Sequence, residues 1–219
     1  MNDVETTTAL WWVVVFSGIY HGVNPGMGWP LAVSAALMER ASSSLYRALG
    51  SLALGHLVAM LAILLPFSIL SVLIEWHREF QVAAAWLLIA VGIYLLINRR
   101  HPRFLARVPP SQLALWSFLV ALAHGAGLML VPVYLGICCM IEADPAHVPV
   151  LGVMGGIVAI AVAVALVHTL AMIASGGAIA YGVYRWIGLK FLSKGWFNLD
   201  VVWALSLVGV GVISLMTLH

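Results

Sequence analysis

Charge is what this sequence lacks. Only 8% of its 219 residues are Asp, Glu, Lys or Arg, whereas 63% are hydrophobic. A soluble globular chain carries roughly 25% charge, so a soluble fold and a sizeable soluble domain are both excluded. Cysteine is nearly absent: Cys138 and Cys139 are adjacent, which excludes a disulfide-stapled secreted scaffold. The acidic start, Met1-Asn2-Asp3-Val4-Glu5, lacks the positive n-region of a secretory signal. The first apolar run is therefore expected to be a retained helix. No glycine-rich phosphate loop is present, since no strand or lysine accompanies the glycines. No acid or nucleophile constellation of a classical enzyme is present either. Nothing points to nucleic acid.

What fills the chain is long apolar runs. Six are bounded by charges and breakers: Leu10–Met38, Leu45–Ile74, Val82–Ile97, Leu113–Ile141, one within Val150–Tyr184, and Val201–Leu218. Lipid tolerates only helices or closed barrels as spanning structures, and these runs are too continuously apolar for barrel strands. The expected fold class is all-α, a polytopic membrane protein of six helices in a single membrane domain, residues 1–219. Its lasting partner is the lipid bilayer, and the composition is equally compatible with a monomer or a homo-oligomer.

The charges that do exist alternate by loop. Arg40 and Arg47, then Arg99, Arg100, Arg103 and Arg107, then Arg185, Lys190 and Lys194 fall on one side. Of the ten Lys and Arg only Arg78 falls on the other. The positive-inside rule makes the basic side cytoplasmic, which leaves both termini external. The stretch Ile187–Asp200 mixes aromatics with cations, so it is expected along the inner interface. Tryptophans such as Trp12, Trp29 and Trp116 are expected mostly near the interfaces.

The two halves share order-preserving matches. Tyr20-His21-Gly22 answers Ala123-His124-Gly125, Gly55-His56-Leu57 answers Val167-His168-Thr169, and Trp86-Leu87-Leu88 answers Trp203-Ala204-Leu205, at offsets of 103, 112 and 117. A three-span unit must insert its second copy upside down. Units over residues 10–98 and 111–218 would then form inverted repeats, the plan of many secondary transporters. Such folds place substrate near broken helices. Pro25, Gly26, Gly125 and Gly127 are the expected breaks, proline because it lacks an amide donor and clashes with the preceding turn.

His21, His56, His124 and His168 fall inside spans at repeat-equivalent positions. Polar groups at that depth usually face a bundle interior or a cavity. Imidazole suits transition metals, and the absence of interior acids disfavours calcium and magnesium. Nickel, cobalt, zinc and copper are the candidates, with His21, His56, His124, His168 and Met27 as metal ligands and Asn24 as a further substrate contact. Haem held by a histidine pair, a polar site for protons or an organic solute, and purely structural histidines in a scaffold or assembly factor stay open. Glycines 152, 155, 156, 176 and 177 read as close helix contacts, and the cysteines as small buried residues.

Tyr20-His21-Gly22-Val23-Asn24-Pro25-Gly26-Met27-Gly28 resembles the first-helix signature of the nickel/cobalt exporter-like family of the lysine-exporter superfamily. That signature has a histidine, a short gap, then Pro-Gly and a second ligand-type residue. The resemblance implies two inverted three-helix units and export of a small ion by alternating access, without an enzymatic step. Met27 stands where those exporters carry a second histidine, and the chain has no long histidine-rich loop. The resemblance then implies a softer metal, or a substrate that is not a metal. The superfamily also exports amino acids and manganese and carries thiol redox equivalents, so its fold does not fix the substrate.

Overall fold

Among the described residues the apolar runs fold as helix; Pro25–Gly28 and Gly125 mark two places where helices stop, whereas Pro66 and Pro132 lie inside helices. The structure is a computed structural model that describes residues 3–73, 77–97, 110–123, 125–141 and 150–187, with isolated helical positions between 205 and 216. The described chain is all-α. The run of the first expected span is broken. Helix α1 (Asp3–Val23) is followed by a short 3-10 turn (Pro25–Met27) and then by α2 (Trp29–Glu39). Asn24 caps that turn, its side-chain oxygen accepting from the Gly26 amide at 2.9 Å. Gly28 then takes φ +101°, a left-handed conformation that only glycine adopts readily.

Helix α3 (Ser42–Leu73) and α4 (His77–Ile97) match the second and third runs. The fourth run is again broken, into α5 (Leu113–Ala123) and α6 (Ala126–Ile141), with a 62° bend between them. Gly125, with φ +71°, sits at that break. Helix α7 (Val150–Gly182) continues into a π-helical turn, Val183–Ile187. The expected sixth span and the interfacial segment 188–200 lie mostly outside the described residues, as do most of the basic and acidic loop residues.

Among the described residues, Ser42–Ser68 and Gly155–Trp186 are long and apolar enough to cross a membrane, and the bent α5–α6 pair makes a third if it is one broken span. The 27 residues of the first reach about 40 Å at 1.5 Å per residue, more than the hydrocarbon core, which calls for tilt.

Apolar side chains face outward as well as filling the core. Trp12, Phe16, Ile19 and Val23 form an exposed apolar stripe on α1, and Leu166 and Leu170 do the same on α7. The buried set also includes Ser17, His21, Asn24, His56, Ser68, Ser117, His168 and Thr169. An apolar rim around a polar-bearing interior suits a membrane-associated protein, where lipid rather than water meets the outer face.

Between helices in lipid there is little hydrophobic drive, so close packing and hydrogen bonds must do the joining. Helix α1 lies most extensively against α7, and α3 against both α5 and α7. The α1–α7 seam is made of small residues. A Cβ added at Gly18 would strike the His168 carbonyl, one at Gly22 would strike the Met172 carbonyl, and one at Gly176 would come within 2.8 Å of the Gly22 carbonyl. Tyr134 of α6 donates to Ser68 of α3 at 2.8 Å and faces the Ile157 carbonyl of α7 at 3.4 Å, tying three helices together. Of the glycines expected at close contacts, Gly176 is one, whereas Gly155 and Gly156 have nothing within 4 Å. A side chain at those two positions would find open space, although Ile157 beside them is buried against α6. Trp29 also departs from the interfacial expectation: it is buried, and its indole N–H donates to the Val23 carbonyl at 3.3 Å. Cys138 is buried in the apolar cluster of α3, α6 and α7, as a small apolar residue would be.

Candidate histidine site

Three of the four expected histidines meet. His21 comes from the last turn of α1, His56 from the middle of α3 and His168 from the middle of α7, and all three are buried. Their ring centroids form a near-equilateral triangle: 4.8 Å from His21 to His168, 5.6 Å from His21 to His56, and 5.4 Å from His56 to His168. The glycine seam explains the shortest edge. Because Gly18 lets the α7 backbone at His168 touch α1, the imidazole one turn further along α1 lands beside the His168 ring. His56 is positioned by its neighbour Gly55, where an added Cβ would strike the Ala114 carbonyl of α5. Ser117 of α5 locks the same junction by donating to the Leu52 carbonyl at 2.7 Å.

The hydrogen bonds set the state of one ring. His21 Nδ1 lies 2.9 Å from the Ser17 carbonyl, and a carbonyl only accepts. Nδ1 therefore carries the proton in the neutral ring and Nε2 carries the lone pair. Metal-binding histidines are commonly oriented by such a backbone bond on their other nitrogen. His56 Nε2, both ring nitrogens of His168 and the Thr169 hydroxyl are buried without a partner at hydrogen-bonding geometry, although the Val14 backbone faces His168. Buried polar atoms without partners are expensive, so this cluster holds an unusual concentration of unspent donor and acceptor capacity.

The spacing bears on chemistry. Three imidazoles around one tetrahedral metal, with metal–nitrogen distances of about 2.0–2.1 Å, put their centroids about 5 Å apart. The triangle has that size. The aim of the rings is different: His56 and His168 lie within 13° of parallel, and no group of three His, Cys, Asp or Glu side chains among the described residues is arranged to hold an ion as the rings stand.

The remaining expected residues distribute as follows. His124 lies outside the described residues. Asn24 is buried and spends its side-chain oxygen on the Gly26 amide. Pro25 and Gly26 form the 3-10 turn of the first break. Gly127 lies one residue into α6, where an added Cβ would meet Ile63 at 2.8 Å, so it serves the α3–α6 contact. Met27 is buried and faces a small cleft with Gly22, Trp29, Leu52 and Met172. Ser17 and Gly18 were not singled out by sequence, and Gly55 only as part of a repeat match. The signal for them was present: Gly18 and Gly22 stand four apart, a small-residue spacing typical of close membrane-helix contacts.

In comparisons with known proteins, no family model, curated protein or solved structure matches this chain.

Proposed function

We propose that this chain is a secondary transporter of six spans in two inverted three-helix units, moving a transition-metal cation through the His21–His56–His168 cluster by alternating access. His124 would be the fourth imidazole. The reading rests above all on the triangle of buried imidazoles. Three separate helices bring these rings to the spacing of a shared ion, in an interior where polar groups are costly. Two further observations support it. The breaks at Pro25–Gly28 and at Gly125 fall in corresponding runs of the two halves, where inverted-repeat transporters bind substrate. His56 and His168, the repeat mates, lie side by side, as residues close to a pseudo-twofold axis would. The closeness of the rings also favours a small ion over haem. The resemblance to the nickel/cobalt exporter-like family agrees with this reading.

Binding requires the rings to turn toward a common point. A side chain held about 30° off its rotamer costs roughly 0.5–1.5 kcal/mol, small against the coordination bonds gained. The test is metal binding by the purified chain and metal flux into vesicles containing it. We expect one ion per chain, and His56→Gln and His168→Gln should each weaken binding by about tenfold or more. Absence of binding by the unaltered chain would overturn the proposal. The present ring orientation and tight packing favour one rival, a scaffold whose histidines are structural. In that case the same substitutions would lower thermal stability and change no metal affinity.

A further inference from the structure

The imidazole triangle has two sides, and the chain fills them differently. Helices α1 and α7 run parallel, since Gly18 meets the His168 backbone and Gly22 meets the Met172 backbone. Helix α3 runs against them: His56 is level with His168, and Leu49 lies beside Gly177. One turn toward the start of α1 and α7, the rings are followed by Ser17, Met60 and Val164, all buried. Met60 and Val164 belong to one apolar cluster with Tyr134, whose hydroxyl ties α6 to α3 and α7. That side is packed and bonded shut.

In the other direction the next residues are Gly22 of α1, Leu52 one turn along α3 and Met172 one turn along α7. These three line a half-open, apolar cleft of about 10 Å³, about the room of one water molecule. An apolar neck of that width holds back water and hydrated ions until it widens.

Helix α2 lies over this neck, packed against both α3 and α7. Its first residue, Trp29, lines the cleft and is held by its indole N–H on the Val23 carbonyl. Both ends of α2 are left-handed, Gly28 at φ +101° and Arg40 at φ +50°. Glycine is the usual residue at such a helix end, and a side chain there crowds the backbone. An eleven-residue helix between two single-residue bends is built like a hinged element, in which a few terminal residues absorb the change of angle. Its far end is anchored, because Glu39 pairs with Arg47 of α3 at 3.4 Å. The Trp29 end is the one free to swing.

We propose that the histidine site is entered through this cleft from the side of the α2–α3 turn, with α2 as the lid and Trp29 as its latch. This rests on the histidine site proposed above and names its side of entry. The turn carries Arg40 and Arg47, so in the proposed topology that side is cytoplasmic.

The test places single cysteines one turn to either side of His56 in the full chain, in liposomes, with Cys138 and Cys139 replaced by alanine. Leu52→Cys lies on the cleft side and Met60→Cys on the packed side. Ser43→Cys, exposed in the first turn of α3, marks the face. A membrane-impermeant thiol reagent should modify Leu52→Cys from the face that modifies Ser43→Cys, and should leave Met60→Cys unmodified. Met172→Cys and Val164→Cys repeat the comparison on α7 and decide it if an α3 variant fails to fold. Adding Trp29→Phe should speed modification of Leu52→Cys about threefold, the factor equivalent to one hydrogen bond inside a membrane protein. Modification on the packed side, entry from the opposite face, or no modification on the cleft side would overturn the side of entry. An unchanged rate with Trp29→Phe would overturn the lid. None of these readouts needs a metal. The expected pattern in a chain that binds no metal would leave the entry side standing and remove the transition-metal site; a metal-binding chain with an unreactive cleft side would do the reverse.

Discussion

At the scale of single residues, the structure separates side chains whose atoms matter from those whose backbone matters. Ser17 is buried beside His21, yet the group that orients the imidazole is the Ser17 carbonyl. Among the described residues its hydroxyl reaches the Met129 sulfur, at 3.9 Å. Ser17→Ala should therefore change stability by less than about 0.5 kcal/mol, because thioether sulfur is a weak acceptor. Tyr134 is the opposite case. Its hydroxyl is the joining group of α6, α3 and α7, and Tyr134→Phe should cost about 0.6–1.7 kcal/mol, the range measured for hydrogen bonds between membrane helices. Thermal unfolding of both variants in one detergent checks the contrast; equal losses would contradict it. His21, His56 and His168 were legible in the sequence because a polar ring in an apolar run has few roles. Their meeting was expected from the matching halves, but which rings would touch was not, since no local pattern says which helices pack together. Asn24 was legible as important but not in its role, because an Asx turn onto Gly26 depends on a backbone that the sequence does not display.

At the scale of elements, the two helix breaks look alike in sequence and differ in surroundings. Gly28 has φ +101°, and an added Cβ would lie 2.7 Å from Trp116 and 2.8 Å from Leu52. Gly125 has φ +71°, but its nearest neighbour would be 3.6 Å away. Gly125→Ala should thus cost only the left-handed strain, about 1–2 kcal/mol. Gly28→Ala adds overpacking of about 1–3 kcal/mol to the same strain. The difference between the two melting curves measures this, and a Gly125 variant as unstable as the Gly28 variant would refute it. The element boundaries follow the sequence closely where proline and glycine mark them, as at Pro25 and Gly125. They follow it poorly where helices simply run on: α4 begins at His77 rather than Val82, and α1 reaches back to Asp3, since hydropathy registers the lipid-facing part of a helix and not its polar extensions.

At the scale of the whole molecule, the proposed six-span topology makes a directional statement. Nine of ten cations fall in loops assigned to one side, so reporters fused at either end should report the external face and one inserted among residues 101–107 the cytoplasmic face. Ends found on opposite faces would remove the inverted-repeat plan and the alternating-access mechanism with it.

The packing order carries one last implication. Helix α1 docks on α7 and α3 docks on α5 and α7, so each half of the chain finds its principal neighbours in the other half. In the proposed topology, the first three spans would enter the bilayer with their glycine seam unmatched and with His21 and His56 still lacking His168. They would wait there, exposing polar groups to lipid, until α5 and α7 followed. Maturation is then a late, concerted event, and a chain truncated after α4 would be left as a target for quality-control proteases rather than a smaller working protein.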